Sequence, residues 1–168
     1  MRIRPFILAL VLLAACNGNK ERKAQLLAQK QNDSILAAKE IKISFTKPAL
    51  RENAKEIMEN WPELNRFDGF IQRYFSKKRG DVTQGIPELA QAVDSLYTSK
   101  IPTDANLPQI KSRLNLLRNY VYRFQDHLID ENLSDSLFNA DIQSIKKAYH
   151  SLYIQLNRVN FFKPNPEL

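Results

Sequence analysis

The side chains that could do chemistry in this chain are few: one cysteine, Cys16, two histidines, His127 and His150, and the carboxylates near them. A nucleophilic cysteine needs an activating base close by, and the flanks of Cys16, "LVLLAACNGNK", hold none. A carboxylate-bridged di-metal centre needs Glu-x-x-His on two helices. Phe124 stands three residues before His127 and Lys147 three before His150, so neither histidine fits. Axial ligation of a haem by Met58 and His150 would need both side chains to face inward. His150 directly follows an apolar-stripe residue, Tyr149, and is expected to face outward. What remains is a weak metal candidate, His127 with Asp130 and Glu131. Spacings of 3 and 4 put these three on one helical face, where an imidazole and two carboxylates can hold Zn²⁺ or Cu²⁺. Against it stands their position, where a helix gives way to a polar turn and solvated acids are common. No Gly-x-Ser-x-Gly, phosphate loop or dinucleotide fingerprint is present. No enzyme activity and no cofactor are expected.

The flanks of Cys16 point instead to location. Arg2 and Arg4 precede an unbroken apolar run from Phe6 to Ala15, the order of a secretory signal. Ten helical residues span about 15 Å, half the hydrocarbon core of a bilayer. The run closes on Leu13-Ala14-Ala15-Cys16, which resembles the lipobox of bacterial lipoproteins. That resemblance covers the first 16 residues. It implies cleavage before Cys16, a diacylglycerol on the thiol, and often a further acyl chain, such as palmitate, on the new amino group. Two or three acyl chains anchor a protein stably where one does not. Asn17 rather than Asp follows the cysteine, and Lys20-Glu21-Arg22-Lys23 is mainly basic. Both features make the periplasmic face of the outer membrane the default expectation.

Removal of residues 1–15 would leave 153 residues, enough for one domain with its own core. The formal charge would fall from +7 to +5. No thiol would remain for a disulfide, so packing alone must stabilise the domain. A modest basic excess can indicate nucleic acid, but an envelope location argues against that partner. It favours phospholipid headgroups, lipopolysaccharide phosphates or acidic proteins.

These groups must be positioned by helices. Residues 16–45 read as a helix-prone, lipid-anchored tether rich in Lys, Gln, Asn and Ala, and 46–168 as the domain. A helix is expected from Thr46 and Pro48, broken at Asn60-Trp61-Pro62. Leu64, Phe67, Ile71, Tyr74 and Lys78 continue the pattern to Gly80, an expected C-cap. Gly69 inside that segment is expected to mark a kink or a close helix contact. A short helix follows from Pro87. Two seams then run without interruption: Leu107, Ile110, Leu114, Leu117, Val121, Phe124, Leu128, and Phe138, Ile142, Ile145, Tyr149, Leu152, Leu156, Val159. Spacings alternating between 3 and 4 are heptad periodicity, and the short polar link between the seams requires antiparallel pairing. The expected fold is all-α, an up-and-down antiparallel bundle of about four helices.

Lys111, Arg113, Arg118 and Arg123 flank the first seam and are the candidate binding residues. Lys77, Lys78, Arg79, Lys146 and Lys147 add positive charge. Tyr122, Tyr153 and Phe161 lie off the stripes: either they cover further helices or they form an exposed patch for a partner. The whole resembles the small helical lipoproteins of Gram-negative envelopes. A non-enzymatic, lipid-anchored domain that binds a protein or an anionic envelope component is the leading expectation. The alternative is a metal- or small-ligand-binding bundle in envelope redox or metal handling.

Overall fold

Leu, Ala, Lys and Gln dominate the N-terminal segment, and such straight-chain residues lose little rotamer freedom in a helix. In the computed structural model they form α1, Arg4–Ala37. The structure describes residues 4–41, 43, 45–46 and 48–159, with side chains from residue 20 onward. The side chain of Cys16, and Phe161 and Phe162, lie outside the described residues. Two units divide the chain, Met1–Lys39 and Glu40–Leu168. In the first, the side chains of α1 from Lys20 on are almost all exposed, Leu26, Leu27 and Ile35 included. None of the helices described is long and apolar enough to cross a membrane.

The second unit is built from α2 (Glu52–Glu59), α3 (Pro62–Tyr74), α4 (Arg79–Gln84), α5 (Ile86–Tyr97), α6 (Pro108–His127) and α7 (Asp135–Leu156). A 3₁₀ turn, Thr103–Ala105, lies between α5 and α6. The chain is thus all-helical. Seven α-helices stand among the described residues, where the periodicity predicts about four and a tether.

Both heptad seams are buried along their helical lengths, from Ile110 to Phe124 on α6 and from Phe138 to Leu156 on α7. The rings of Phe124 and Phe138 meet edge-on at 5.3 Å. A late residue of α6 therefore touches an early residue of α7, which is the antiparallel pairing that the short link demands. α6 packs against α5 as well, α5 against α3, and α2 against both α3 and α7. Burial of each large apolar side chain contributes about 1.5–3 kcal/mol, and the core includes Trp61, Leu64, Ile71, Phe75, Leu89 and Leu96.

Three local expectations are corrected by tertiary contacts. The domain reaches back to Glu40, and Phe45, expected in the tether, is buried in its core. Its ring stacks on Phe75 at 4.3 Å. α2 starts at Glu52 rather than at Pro48 because Asn157 holds the preceding backbone extended. Its side chain donates to the Ala49 carbonyl and accepts from the Arg51 N–H, both at 2.9 Å. α3 ends at Tyr74, and Gly80 sits inside α4 instead of capping α3. There the Tyr74 hydroxyl donates to the Val82 carbonyl, while Arg79 is drawn to Asp135, the Leu133 carbonyl and the face of Phe138. The break at Trp61-Pro62 is found as expected, with Pro62 opening α3.

Candidate functional site

Successive α-helical residues are rotated by about 100°, so positions seven apart nearly coincide. Lys111 and Arg118 therefore share one flank of the α6 seam, and Arg113 and Arg123 fall on the other. The four candidate binding residues do not form one patch.

On the first flank, the Arg118 Nε donates to Asp94 Oδ1 of α5 at 2.6 Å. Its guanidinium lies 4.9 Å from the Tyr97 ring and 5.0 Å from the Tyr122 ring. The Tyr122 hydroxyl donates to the other Asp94 oxygen. Hydrogen bonds from Arg118 and Tyr122 hold the Asp94 carboxyl below its ordinary range, and Asp94 in turn raises Tyr122. Lys111 is exposed and lines a cleft of about 490 Å³ with Tyr97, Lys100, Ile101 and Leu114.

On the second flank, Arg123 contacts Asp141 Oδ1 of α7 through Nε at 3.1 Å and stacks over Tyr120 at 4.7 Å. His127 Nδ1 lies 2.6 Å from the other Asp141 oxygen. Asp141 is 1 % exposed, so a buried carboxylate is satisfied by two groups that reach solvent. Arg113 is half-buried, and its Nε has no hydrogen-bond partner among the described residues. Asp130 accepts the Asn132 N–H at 2.9 Å and so closes the turn after α6. Glu131 is exposed. Among the described residues no group of three or more His, Cys, Asp or Glu side chains is placed to hold a metal ion. His150 Nε2 lies 3.0 Å from the Thr46 carbonyl.

A second buried carboxylate, Asp68 of α3, accepts hydrogen bonds from Tyr149 and Tyr153 of α7 and, at 3.2 Å, from Gln72. Burial raises the pKa of both tyrosines well above the ordinary value, and Asp68 adds to the shift. Tyr153, off the expected stripe, is thus core, and Tyr122 packs between α5 and α6. Neither belongs to a free aromatic patch.

Another open feature lies between α3 and the end of α5. It is a groove of about 740 Å³. α3 contributes Glu63, Asn65, Arg66, Phe67, Gly69, Phe70 and Arg73; the opposite wall is Ala92, Ser95, Thr98 and Ser99. Arg66, Phe70 and Arg73 share one helical face by their spacing of 4 and 3. Gly69 sits in an uninterrupted helix, and the space its missing side chain leaves is groove. A Cβ there would come within 3.3 Å of the Arg73 guanidinium. Arg66 pairs with Glu63 at 2.7 Å in an exposed i,i+3 bridge, of a kind worth about 0–1 kcal/mol. Arg73 has no carboxylate partner among the described residues.

Comparison with protein-family models, with curated proteins and with solved structures finds no match for this chain.

The sequence singles out neither Asp68 nor Asp141, since an aspartate beside an apolar stripe looks like a solvated flank. Arg66 and Arg73 are equally unmarked. Only the approach of α5 to α3 turns that face into a groove.

Proposed function

We propose that this protein is a lipid-anchored, non-enzymatic binding module of the cell envelope, held through acylated Cys16 on the periplasmic face of the outer membrane. In this reading residues 16–39 space the domain from the lipid. The domain is an up-and-down bundle whose four principal helices are α3, α5, α6 and α7, and it binds a protein or an anionic envelope component. One observation carries the binding role. Arg118 and Arg123 of α6 are paired within the fold, whereas Arg73 stands over an open groove with no carboxylate partner among the described residues, and Arg66 beside it is held only by an exposed bridge to Glu63. Recognition is therefore assigned to the α3–α5 groove rather than to the paired Arg118 and Arg123, while Lys111 and Arg113 lie on opposite flanks of α6 and form no single patch.

Two experiments test the two halves. Cys16→Ser should leave uncleaved precursor or release the chain from membranes; normal processing with unchanged membrane association removes the anchor. A photo-crosslinking amino acid at Ser95, in the native envelope, should give a repeatable adduct that the same probe on the α1 surface at Gln29 does not. Absence of any repeatable adduct removes the binding module. A groove of this volume is also the size of a small-molecule site, which favours a small-ligand-binding bundle as the second reading. An adduct of negligible added mass would select it.

A further inference from the structure

The hydroxyl wall of the groove is one-sided in its hydrogen bonding. Ser95 Oγ donates to the Gln91 carbonyl at 2.9 Å, Thr98 Oγ1 to Asp94 at 2.9 Å, and Ser99 Oγ to Leu96 at 2.7 Å. Each hydroxyl has one proton, and all three are directed into the helix backbone. What Ser95 and Thr98 present to the groove is lone pairs, and one lone pair of Ser99 is taken by the Trp61 Nε1–H. Asn65 donates one amide N–H to the Met58 carbonyl, which leaves its Oδ1 as an acceptor and its second N–H as a donor. α3 adds the cations of Arg66 and Arg73, set on either side of the half-buried Phe70, and the Glu63 carboxylate, which Arg66 bridges at the surface. A complementary ligand brings N–H or O–H donors for the hydroxyl wall, an apolar group for Phe70, and anions for Arg73 and for Arg66, whose weak, exposed bridge to Glu63 can be exchanged.

We infer that the α3–α5 groove is a docking site for an acidic, extended peptide segment of a partner protein. The inference rests on the binding-module reading above. An extended peptide satisfies all three demands at once: its backbone N–H groups are donors, and its alternate side chains share one face. Arg66 and Arg73 are seven residues apart on α3, about 10.5 Å along the axis. Two glutamates four apart on a strand lie about 13 Å apart, a difference that the long side chains absorb. The residue midway between them falls on Phe70. The matching pattern is therefore acid-x-apolar-x-acid. An anionic lipid supplies charge and apolar bulk but no row of donors, and its acyl chains would leave the hydroxyl wall unpaired.

The chain's one tryptophan is a built-in reporter. Trp61 is fully buried, and its Nε1–H donates to Ser99 Oγ, a groove atom, at 2.8 Å. The full chain in detergent micelles is titrated with the capped peptide Ser-Glu-Ser-Leu-Ser-Glu-Ser, following Trp61 emission. A saturable change is expected with a Kd below about 1 mM, lost when both glutamates are replaced by glutamine. Binding should weaken about tenfold in Arg66→Gln/Arg73→Gln. It should also vanish in Gly69→Leu, which fills the groove, with the thermal unfolding midpoint of each variant checked against the parent chain. No saturation below about 1 mM, or equal binding of the glutamine peptide, overturns the proposal. So does saturable binding at the groove by monomeric dihexanoyl phosphatidylglycerol or a uronic acid oligosaccharide when the peptide gives none. Those last outcomes leave the binding module standing, whereas loss of every crosslink in the envelope removes the module itself.

Discussion

The Asp68 cluster and the α3–α5 groove sit on the same helix, α3, and use charge in opposite ways. Asp68 faces α7, is 7 % exposed, and has Tyr149, Tyr153 and Gln72 as partners. A face away, Arg73 and Arg66, the latter held only by a surface bridge to Glu63, stand exposed beside an open groove. A buried carboxylate is tolerable only when its hydrogen bonds are made within the fold, so it reports on architecture. An exposed guanidinium beside an apolar ring costs the fold little and remains available. A charge that the fold requires is therefore a poor candidate for binding, and a charge it does not require is a good one. The same division runs along α6, where Arg118 and Arg123 are joined to Asp94 and Asp141.

The comparison breaks most visibly at Asp68. Asp68→Ala strands two buried tyrosine hydroxyls and should cost about 2–4 kcal/mol, read as a lower urea midpoint with an unchanged slope. A loss below about 0.5 kcal/mol would mean the cluster is not required. Alkaline titration probes the same region. Burial raises Tyr74, Tyr149 and Tyr153 above their ordinary 10.0. The folded state therefore holds these protons after the unfolded chain has lost them. Their contribution to stability is complete below about pH 10 and falls as pH rises further. Tyrosinate absorbance from these three should appear only as the chain unfolds.

Asp141→Ala should cost less, about 1–2 kcal/mol, because Arg123 and His127 are 43 % and 34 % exposed and can turn to water. In the groove the sign reverses. Gly69→Ala meets only the mobile end of Arg73 and gains helix propensity, so it should stabilise by up to about 1 kcal/mol. Arg73→Gln should be the smallest effect, within about 0.5 kcal/mol. A large destabilisation at Arg73 would erase the distinction between the two regions.

The helices with the longest uniform periodicity were legible without coordinates. α6 and α7 follow their seams because seven apolar residues at 3–4 spacing leave only one buried face. The break before Pro62 was equally legible, since proline's steric demand acts locally. What failed were boundaries decided at a distance. Pro48 does not open α2 because Asn157, more than 100 residues later, ties its neighbours in extended form. Gly80 does not end α3 because Arg79 is drawn to Asp135 and Phe138.

For the site, composition and spacing marked Arg118, Arg123 and His127 as notable but could not say whether a partner waited inside the fold. The sequence by itself determined the all-helical class, the antiparallel α6–α7 pair and the resemblance of the Cys16 flanks to a lipobox, because each depends on local periodicity or contiguous residues. Only the tertiary structure decided which charges are taken and which are open. That depends on which helix faces meet, and ion pairs such as Arg118–Asp94 join residues 24 positions apart.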